Sequence, residues 1–212
     1  NRLLSRGISR RTFTASAIAL AVFPALLSMT RAARAAEPLG GKPLVVVMKT
    51  GSLRTLDPNN AYEAEWFIFG KALYSQLVTL RGSALDAIAA DYASTWDVSD
   101  DGLTYVFDLN PKVKFSDGST ATADDLLFSF NRFINLKGPG SWLLDGVKSI
   151  EKSGPNQVKV TLGEINVDFL QILTTPSLNV AQASAIKAHG GTDAKDASTT
   201  DTAGPWLDAN SV

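Results

Sequence analysis

The sequence predicts an α/β protein, because segments with strand periodicity alternate with segments of helical periodicity. Leu44 to Met48 is a continuous apolar run, which is typical of a strand buried on both faces. Residues 104–109 alternate apolar and polar side chains, as a half-buried strand does. Leu126, Phe130 and Phe133 then recur at helical spacing. Strands and helices therefore follow one another along the 212 residues.

The stretch between these two strands is predicted to be a loop followed by a helix. Asp57-Pro58 is a turn signal, so residues 51–60 are expected to form a loop. From Tyr62 to Leu80, aromatic and leucine side chains, among them Trp66 and Phe69, supply one apolar face. We therefore expect one long helix over residues 62–80.

Two Asp-Gly dipeptides predict tight turns in the middle of the chain. Asp101-Gly102 comes directly before the alternating strand of residues 104–109. Val113 and Phe115 continue the strand pattern, and Asp117-Gly118 follows them. This order predicts a short second strand that is closed by the second turn.

The helix that follows has signals at both ends. Thr122 is the predicted N-cap, and Asp125, three residues on, resembles the acid of a capping box. Asp124 and Asp125 could also be paired carboxylates for acid–base chemistry. We favour capping, since acids in the first turn are stabilised by the exposed N–H groups of the helix. Gly138-Pro139 is expected to end the helix.

The last part of the chain is predicted to contain a hairpin and two short helices. The two strands of the hairpin are joined by Ser153-Gly154-Pro155-Asn156, a strong turn signal. The predicted elements are strands at Val147 to Lys152 and Gln157 to Leu162, and helices at Asp168 to Leu173 and Ala181 to His189. Residues 192–212 are polar and predict no clear element.

Composition excludes several kinds of site. The chain has no cysteine, which rules out disulfides, thiolate zinc sites and a cysteine nucleophile. Residues 36–212 hold 14 basic and 21 acidic side chains, a formal net charge of −7. Nucleic-acid binding needs clustered basic side chains, so we expect no nucleic-acid partner. No metal-ligand cluster and no cofactor motif is present in the sequence.

Residues 1–35 are interpreted as an export signal. They hold six arginines and no acid, and the motif around Arg10 and Arg11 resembles the twin-arginine export signal. Ala15 to Ser28 is an apolar run of 14 residues, shorter than the roughly 20 that a membrane span needs. We expect cleavage after Ala35. A general secretory signal and a retained anchor are the alternatives.

Several short motifs occur in a fixed order between residues 56 and 132. They are Leu56-Asp57-Pro58, Leu73-Tyr74, Leu77-Val78, Trp96, Asp101 to Tyr105, Val113 to Phe115, Asp117-Gly118, Thr122-Ala123, Asp125-Leu126, Ser129 and Arg132. In these motifs the chain resembles the extracytoplasmic solute-binding proteins of the dipeptide, oligopeptide and nickel import class, solute-binding family 5. The resemblance extends over residues 40–212, and Asn110-Pro111 departs from it where the family usually has a basic residue.

This resemblance implies a two-lobed fold of the type II periplasmic-binding-protein kind. Members are typically more than twice as long, so we expect only the N-terminal lobe and its accessory subdomain here. The implied division gives residues 36–77 to the first segment of that lobe, 78–176 to the accessory subdomain and 177–212 to the return into the lobe. The opposing lobe would come later in sequence.

The resemblance also implies a function and a site. Family members capture a solute outside the cytoplasm and deliver it to an ABC permease in the inner membrane. In peptide-binding members the backbone just before Leu-Asp-Pro pairs with an extended ligand, which corresponds to Ser52, Leu53, Arg54 and Thr55. A plain surface loop is the alternative for this segment. We expect a monomer that binds a small peptide and is not an enzyme.

Other functions were weighed against this interpretation. The ligand could be a nickel complex, an oligosaccharide, an opine or glutathione, or the protein could present its ligand to a receptor as a sensor. A secreted hydrolase would need a nucleophile or metal site, and His189, the single histidine, is predicted at a helix C-terminus instead. Trp66 and Trp96 are expected in the core. Trp142 is the tryptophan most suited to a ligand or lobe contact.

Overall fold

The computed structural model describes residues 47–49, 51–82 and 85–212. The chain divides into two units, Asn1–Met48 and Lys49–Val212, and the elements below all belong to the second. The predicted export signal lies outside the described residues. So do residues 44–46 of the first predicted strand, and the part of it that is described, Val47 and Met48, is irregular.

The described elements alternate strands and helices, as the sequence predicts. The strands are β1 (Val78–Leu80), β2 (Ile88–Ala90), β3 (Ala93–Val98), β4 (Thr104–Leu109), β5 (Val147–Gly154) and β6 (Gln157–Leu162). The helices are α1 (Ala64–Leu73), α2 (Ala123–Leu136), α3 (Phe169–Ile172), α4 (Ala183–Ala188), α5 (Ala197–Thr200) and α6 (Gly204–Leu207), with a 3₁₀ turn at Ser141–Leu144. Among the described helices, none is both long enough and apolar enough to cross a bilayer.

Two antiparallel sheets organise the unit. β1 pairs with β2, and the larger sheet has the strand order β3-β4-β6-β5. Gly102 has φ 68°, which glycine adopts without steric cost, and it closes the turn between β3 and β4. The predicted strand at Thr104–Leu109 is confirmed with its alternation: Tyr105, Phe107 and Leu109 are buried while the residues between them are partly exposed.

Helix α2 packs on the buried face of the larger sheet and begins where the sequence predicts. Thr122 donates from its backbone N–H and its hydroxyl to Asp125 Oδ2, at 2.9 and 2.7 Å. Leu126, Phe130 and Phe133 are buried in the same core as the sheet. The capping and the helical spacing are therefore confirmed. The helix ends at a residue in the left-handed region directly before the Gly-Pro pair.

The predicted helix over residues 62–80 is wrong beyond Leu73. Tyr74 is extended, with φ −129° and ψ 151°, and the chain then continues into β1. Gln76 forms an isolated antiparallel bridge with Asn179, and its N–H donates to Asp91 Oδ2 at 2.9 Å. Hydrogen-bond partners distant in sequence therefore pair with the backbone of Gln76, and the segment is extended although its local sequence pattern is helical.

Two further expectations are corrected. The predicted strand at Val113–Phe115 is only a single bridge between Lys114 and Thr120, although the turn at Asp117-Gly118 forms as predicted. Residues 192–212, for which no element was predicted, contain the short helices α5 and α6. Ala197 in α5 and Leu207 in α6 are buried. Their burial holds these two helices against the rest of the unit, although most of the segment is polar.

Candidate functional site

The four predicted ligand residues form one exposed or half-exposed segment, which we call the 52–55 segment. It runs from Ser52 to Thr55, and Leu56 separates it from the buried Asp57. No backbone–backbone hydrogen bond joins its residues to another described residue. Its peptide groups can therefore pair with an added strand.

Three acids hold the polar side chains of the 52–55 segment. Ser52 donates to Glu65, and Arg54 Nε lies 2.7 Å from Glu63 Oε1 at the start of α1. Thr55 Oγ1 donates to Asp208 Oδ1 at 2.6 Å, where α6 ends. Two elements that lie far apart in sequence thus hold the side chains of this loop, and its backbone groups form no hydrogen bond with the backbone of another described residue.

This arrangement lowers the pKa of the Glu63 carboxylate. Burial by itself would raise its pKa, but the hydrogen bond from Arg54 and backbone N–H groups lower it below the ordinary value. Arg54 keeps two-thirds of its side chain exposed, at 68%, while it is paired. The charge of Arg54 therefore already has a partner within the protein.

An apolar cleft of about 430 Å³ lies beside the segment. Leu53 and Leu56 line it from one side, and α1 contributes Phe69 and Leu73. Asp208 is the charged residue in the lining. A cleft of this size and composition suits an apolar side chain of a ligand whose backbone follows the 52–55 segment.

A buried ion network lies directly behind the segment. Arg132 is fully buried, and its two Nη atoms each lie 2.7 Å from an oxygen of Asp57. Its Nε binds Asp201 Oδ2 at 2.8 Å. Both carboxylates favour the guanidinium form and raise the pKa of Arg132, although burial alone would lower it. The network fixes Asp57, two residues after the 52–55 segment, to helix α2.

The remaining candidates lie away from this segment or have structural partners. Trp66 is buried and donates from Nε1 to the carbonyl of Pro176 at 3.0 Å. His189 stands at the C-cap of α4, as predicted, and stacks on Trp206 with ring centroids 3.7 Å apart. Trp142 is 56% exposed and lies in a different cleft.

Trp96 and the paired acids have structural partners too. Trp96 is partly buried against the main core, as expected. Asp125 is committed to the helix cap, and Asp124 pairs with Lys152 at 2.9 Å. Within the described part of the chain, His, Asp and Glu side chains form no group of three or more that could hold a metal ion. The arrangement around residues 52–55 offers noncovalent contacts: open peptide groups, carboxylates and an apolar cleft.

Sequence reasoning missed the residues that hold the segment. Asp57 and Arg132 both stand in motifs that were recognised, but nothing local indicates that they pair across 75 positions. Asp201 and Asp208 lie in the region for which no element was predicted. An acid directly after the apolar pair Trp206-Leu207 is a weak signal of a helix end, and it does not reveal the distant partner.

Comparisons with known proteins agree with this fold. The family model for bacterial extracellular solute-binding proteins, family 5 Middle, matches residues 87–208. The probable D,D-dipeptide-binding periplasmic protein DdpA of Escherichia coli is 29% identical over 192 residues, which cover 85% of this chain and 36% of that protein. The chain thus spans about a third of the length of this relative.

Two solved structures share the architecture of this chain. MoaA from A. tumefaciens, in complex with mannopinic acid, has a TM-score of 0.59 and 26% identity, over 65% of this chain and 29% of that one. OppA from Haemophilus influenzae, in complex with RPPGFSPFR, has a TM-score of 0.59 and 19% identity, over 64% and 30%. The predicted α/β fold of the type II class is confirmed for the part present. The chain belongs to the bacterial extracellular solute-binding proteins of family 5.

Proposed function

We propose that this chain is the N-terminal part of the solute-binding component of an ABC importer, which captures peptides or similar small solutes outside the cytoplasm. The main support for this proposal is the 52–55 segment. Its backbone pairs with the backbone of no other described residue, and it borders an apolar cleft. The dipeptide-binding name of DdpA, and that of a Pseudomonas aeruginosa di/tripeptide-binding protein 32% identical over 130 residues, support a peptide ligand.

The mechanism of the proposed function is noncovalent. A peptide adds to the 52–55 segment as an extended strand, and one of its apolar side chains enters the cleft lined by Leu53 and Leu56. Closure of a second lobe then stabilises the bound state, and the membrane permease receives the solute. In this proposal the protein is a monomer with no catalytic role.

The organisation of the whole protein belongs to the same proposal. Residues 36–77 and 177–212 form the ligand-binding lobe, and residues 78–176 form its accessory subdomain. The four-stranded sheet, which lies between residues 93 and 162, supports a separate subdomain. Export follows the twin-arginine route with cleavage after Ala35. Replacing Arg10 and Arg11 by lysine would then stop export, and continued export would instead indicate the general secretory route.

Thermal unfolding of the full-length protein with di- to oligopeptides tests the ligand class. A ligand at a hundredfold excess over its Kd stabilises the folded state by about 2.7 kcal/mol. We expect a rise in Tm with peptides. A rise with opines, oligosaccharides, glutathione or nickel complexes, and none across a broad peptide library, would show that the ligand is one of those.

A second experiment examines the binding mode. Methylation of single backbone amides in a bound peptide removes one donor without removing a side chain. We expect at least one such methylation to weaken binding about tenfold, since a hydrogen bond lost from a buried partner costs on the order of 1–3 kcal/mol. A peptide that tolerates methylation at every position does not pair through its backbone N–H groups.

A further inference from the structure

The side-chain amide of Asn179 is buried, and its nitrogen has no hydrogen-bond partner among the described residues. Asn179 has no exposed surface, and its Oδ1 accepts a hydrogen bond from Gln76 Nε2 at 2.8 Å. Its Nδ2 is the only buried side-chain nitrogen or oxygen in the described part of the chain that lacks a partner. An unpaired buried donor is destabilising, because folding removes it from water and supplies no acceptor in exchange.

The orientation of this amide is fixed by its neighbours. Lys71 Nζ donates to Gln76 Oε1 at 3.0 Å, and Gln76 Nε2 donates to the carbonyl of Tyr74 at 3.0 Å. The nitrogen of Gln76 therefore faces Asn179, and it needs an acceptor there. Exchanging Oδ1 and Nδ2 of Asn179 would place two donors against each other. The atom without a partner is thus the nitrogen.

Asn59 offers an acceptor beside Asn179. Its Nδ2 donates to the backbone carbonyl of Asn179 at 3.2 Å, so the two residues are in direct contact. Its Oδ1 accepts one hydrogen bond from the described residues, a long one of 3.3 Å from Arg132 Nη1. An amide oxygen has two lone pairs, so Asn59 Oδ1 can accept a second hydrogen bond. Asn59 is itself 1% exposed, which keeps this acceptor away from bulk solvent.

We propose that a buried water molecule binds between Asn179 and Asn59. The water accepts a hydrogen bond from Asn179 Nδ2 and donates one to Asn59 Oδ1. Water suits this position because it both accepts and donates, whereas a metal ion cannot accept a hydrogen bond from an amide N–H. Buried waters typically make about three hydrogen bonds to protein groups that would otherwise be unpaired.

The proposed water strengthens the loop behind the 52–55 segment. The N–H of Asn59 donates to Asp57 Oδ1 at 2.9 Å, so Asn59 belongs to the turn that follows the segment. The water would hold this turn to Asn179, which pairs with Gln76 at the isolated bridge. The inference concerns the protein interior alone and does not depend on which ligand the protein binds.

A high-resolution crystal structure of the full-length protein tests the proposal directly. We expect an ordered water about 2.7–3.2 Å from both Asn179 Nδ2 and Asn59 Oδ1. Trp66 Nε1 is the control in the same map, because it is buried and donates directly to the carbonyl of Pro176 at 3.0 Å. No water should contact it. A protein oxygen bound to Asn179 Nδ2, or a map with no ordered solvent there, would overturn the proposal.

Two variants show whether Asn179 itself binds the water. Asn179→Asp keeps the acceptor for Gln76 and replaces the nitrogen by an oxygen, to which a water can donate instead. We expect the water to remain in the crystal structure of this variant. Asn179→Leu has no polar side-chain atom, so the water should disappear and Tm should fall. A water that keeps its position in Asn179→Leu would show that Asn179 does not bind it. The wild-type map decides the question even where a variant does not fold.

Discussion

Arg132 binds both carboxylate oxygens of Asp57 in the interior, with N–O distances of 2.7 Å each. The same guanidinium binds Asp201 with two further hydrogen bonds of 2.8 and 3.0 Å. One side chain of α2 thus joins the loop after the 52–55 segment to the segment before α6. The position of the candidate site depends on a residue that does not line it.

Replacing Arg132 by methionine should destabilise the protein strongly. The substitution leaves the buried carboxylates of Asp57 and Asp201 without a counter-ion, and breaking a buried pair in this way costs about 3–5 kcal/mol. Lys152→Met is the matched control, because its pair with Asp124 is exposed and contributes at most about 1 kcal/mol. Urea unfolding of the full-length protein measures both. Equal losses would show that the network is not stabilising.

The same network predicts a dependence of stability on pH. Burial alone would raise the pKa of Asp201, but the bonds from Arg132 and from the N–H groups of Thr192 and Ala203 hold it below the ordinary value of 3.8. Because the folded-state pKa is depressed, this contribution is present above pH 3.8 and is lost as the pH falls through the folded-state pKa.

Asp201→Asn tests this dependence. The variant should be less stable than wild type at pH 7, and its free energy of unfolding should decline less steeply on acidification, since one linked proton is removed. Unfolding curves in urea from about pH 7 to pH 3 measure both slopes. Parallel declines in the two proteins would mean that Asp201 does not contribute to acid sensitivity.

Two neighbouring acids in α2 should differ sharply in their effect on stability. Asp125 caps the helix and also accepts the N–H of Ala183 at 2.9 Å, so Asp125→Ala removes the cap and leaves a buried donor unpaired. We expect a loss of about 2–4 kcal/mol. Asp124→Ala removes only an exposed pair and should cost at most about 1 kcal/mol. Similar Tm values for the two variants would contradict the capping role.

Gly70 lies where α1 approaches the rest of the unit. A Cβ there would stand 2.9 Å from Trp66 Cε2 and 3.0 Å from the carbonyl of Pro176. Gly70→Ala should therefore destabilise by about 1–3 kcal/mol through overpacking, although alanine favours a helix by about 1 kcal/mol. Gly146→Ala, with no atom within 4 Å of the new Cβ, should be near neutral. A gain in Tm for Gly70→Ala would show that Trp66 can move.

Several elements could be predicted because their signals are local. The alternation over residues 104–109, the cap at Thr122 and the turn at Ser153-Gly154-Pro155-Asn156 all depend on residues within a few positions of one another. The family resemblance rests on the same local motifs. The fold class and the position of the 52–55 segment before Asp57 could therefore be read from the sequence.

The tertiary structure decided the rest, since the deciding partners are distant in sequence. Residues 74–80 are not helical because Asn179 and Asp91 pair with the backbone of Gln76, and β2 pairs with residues 78–80. Arg132 meets Asp57 across 75 positions, and Asp208 meets Thr55 across 153. A buried charge is costly unless it is paired with an opposite charge. The partner can come from any part of the chain that the fold brings near, and a local sequence pattern does not identify it. The amino-acid sequence by itself determined the family and the local elements, and the fold determined what holds the 52–55 segment in place.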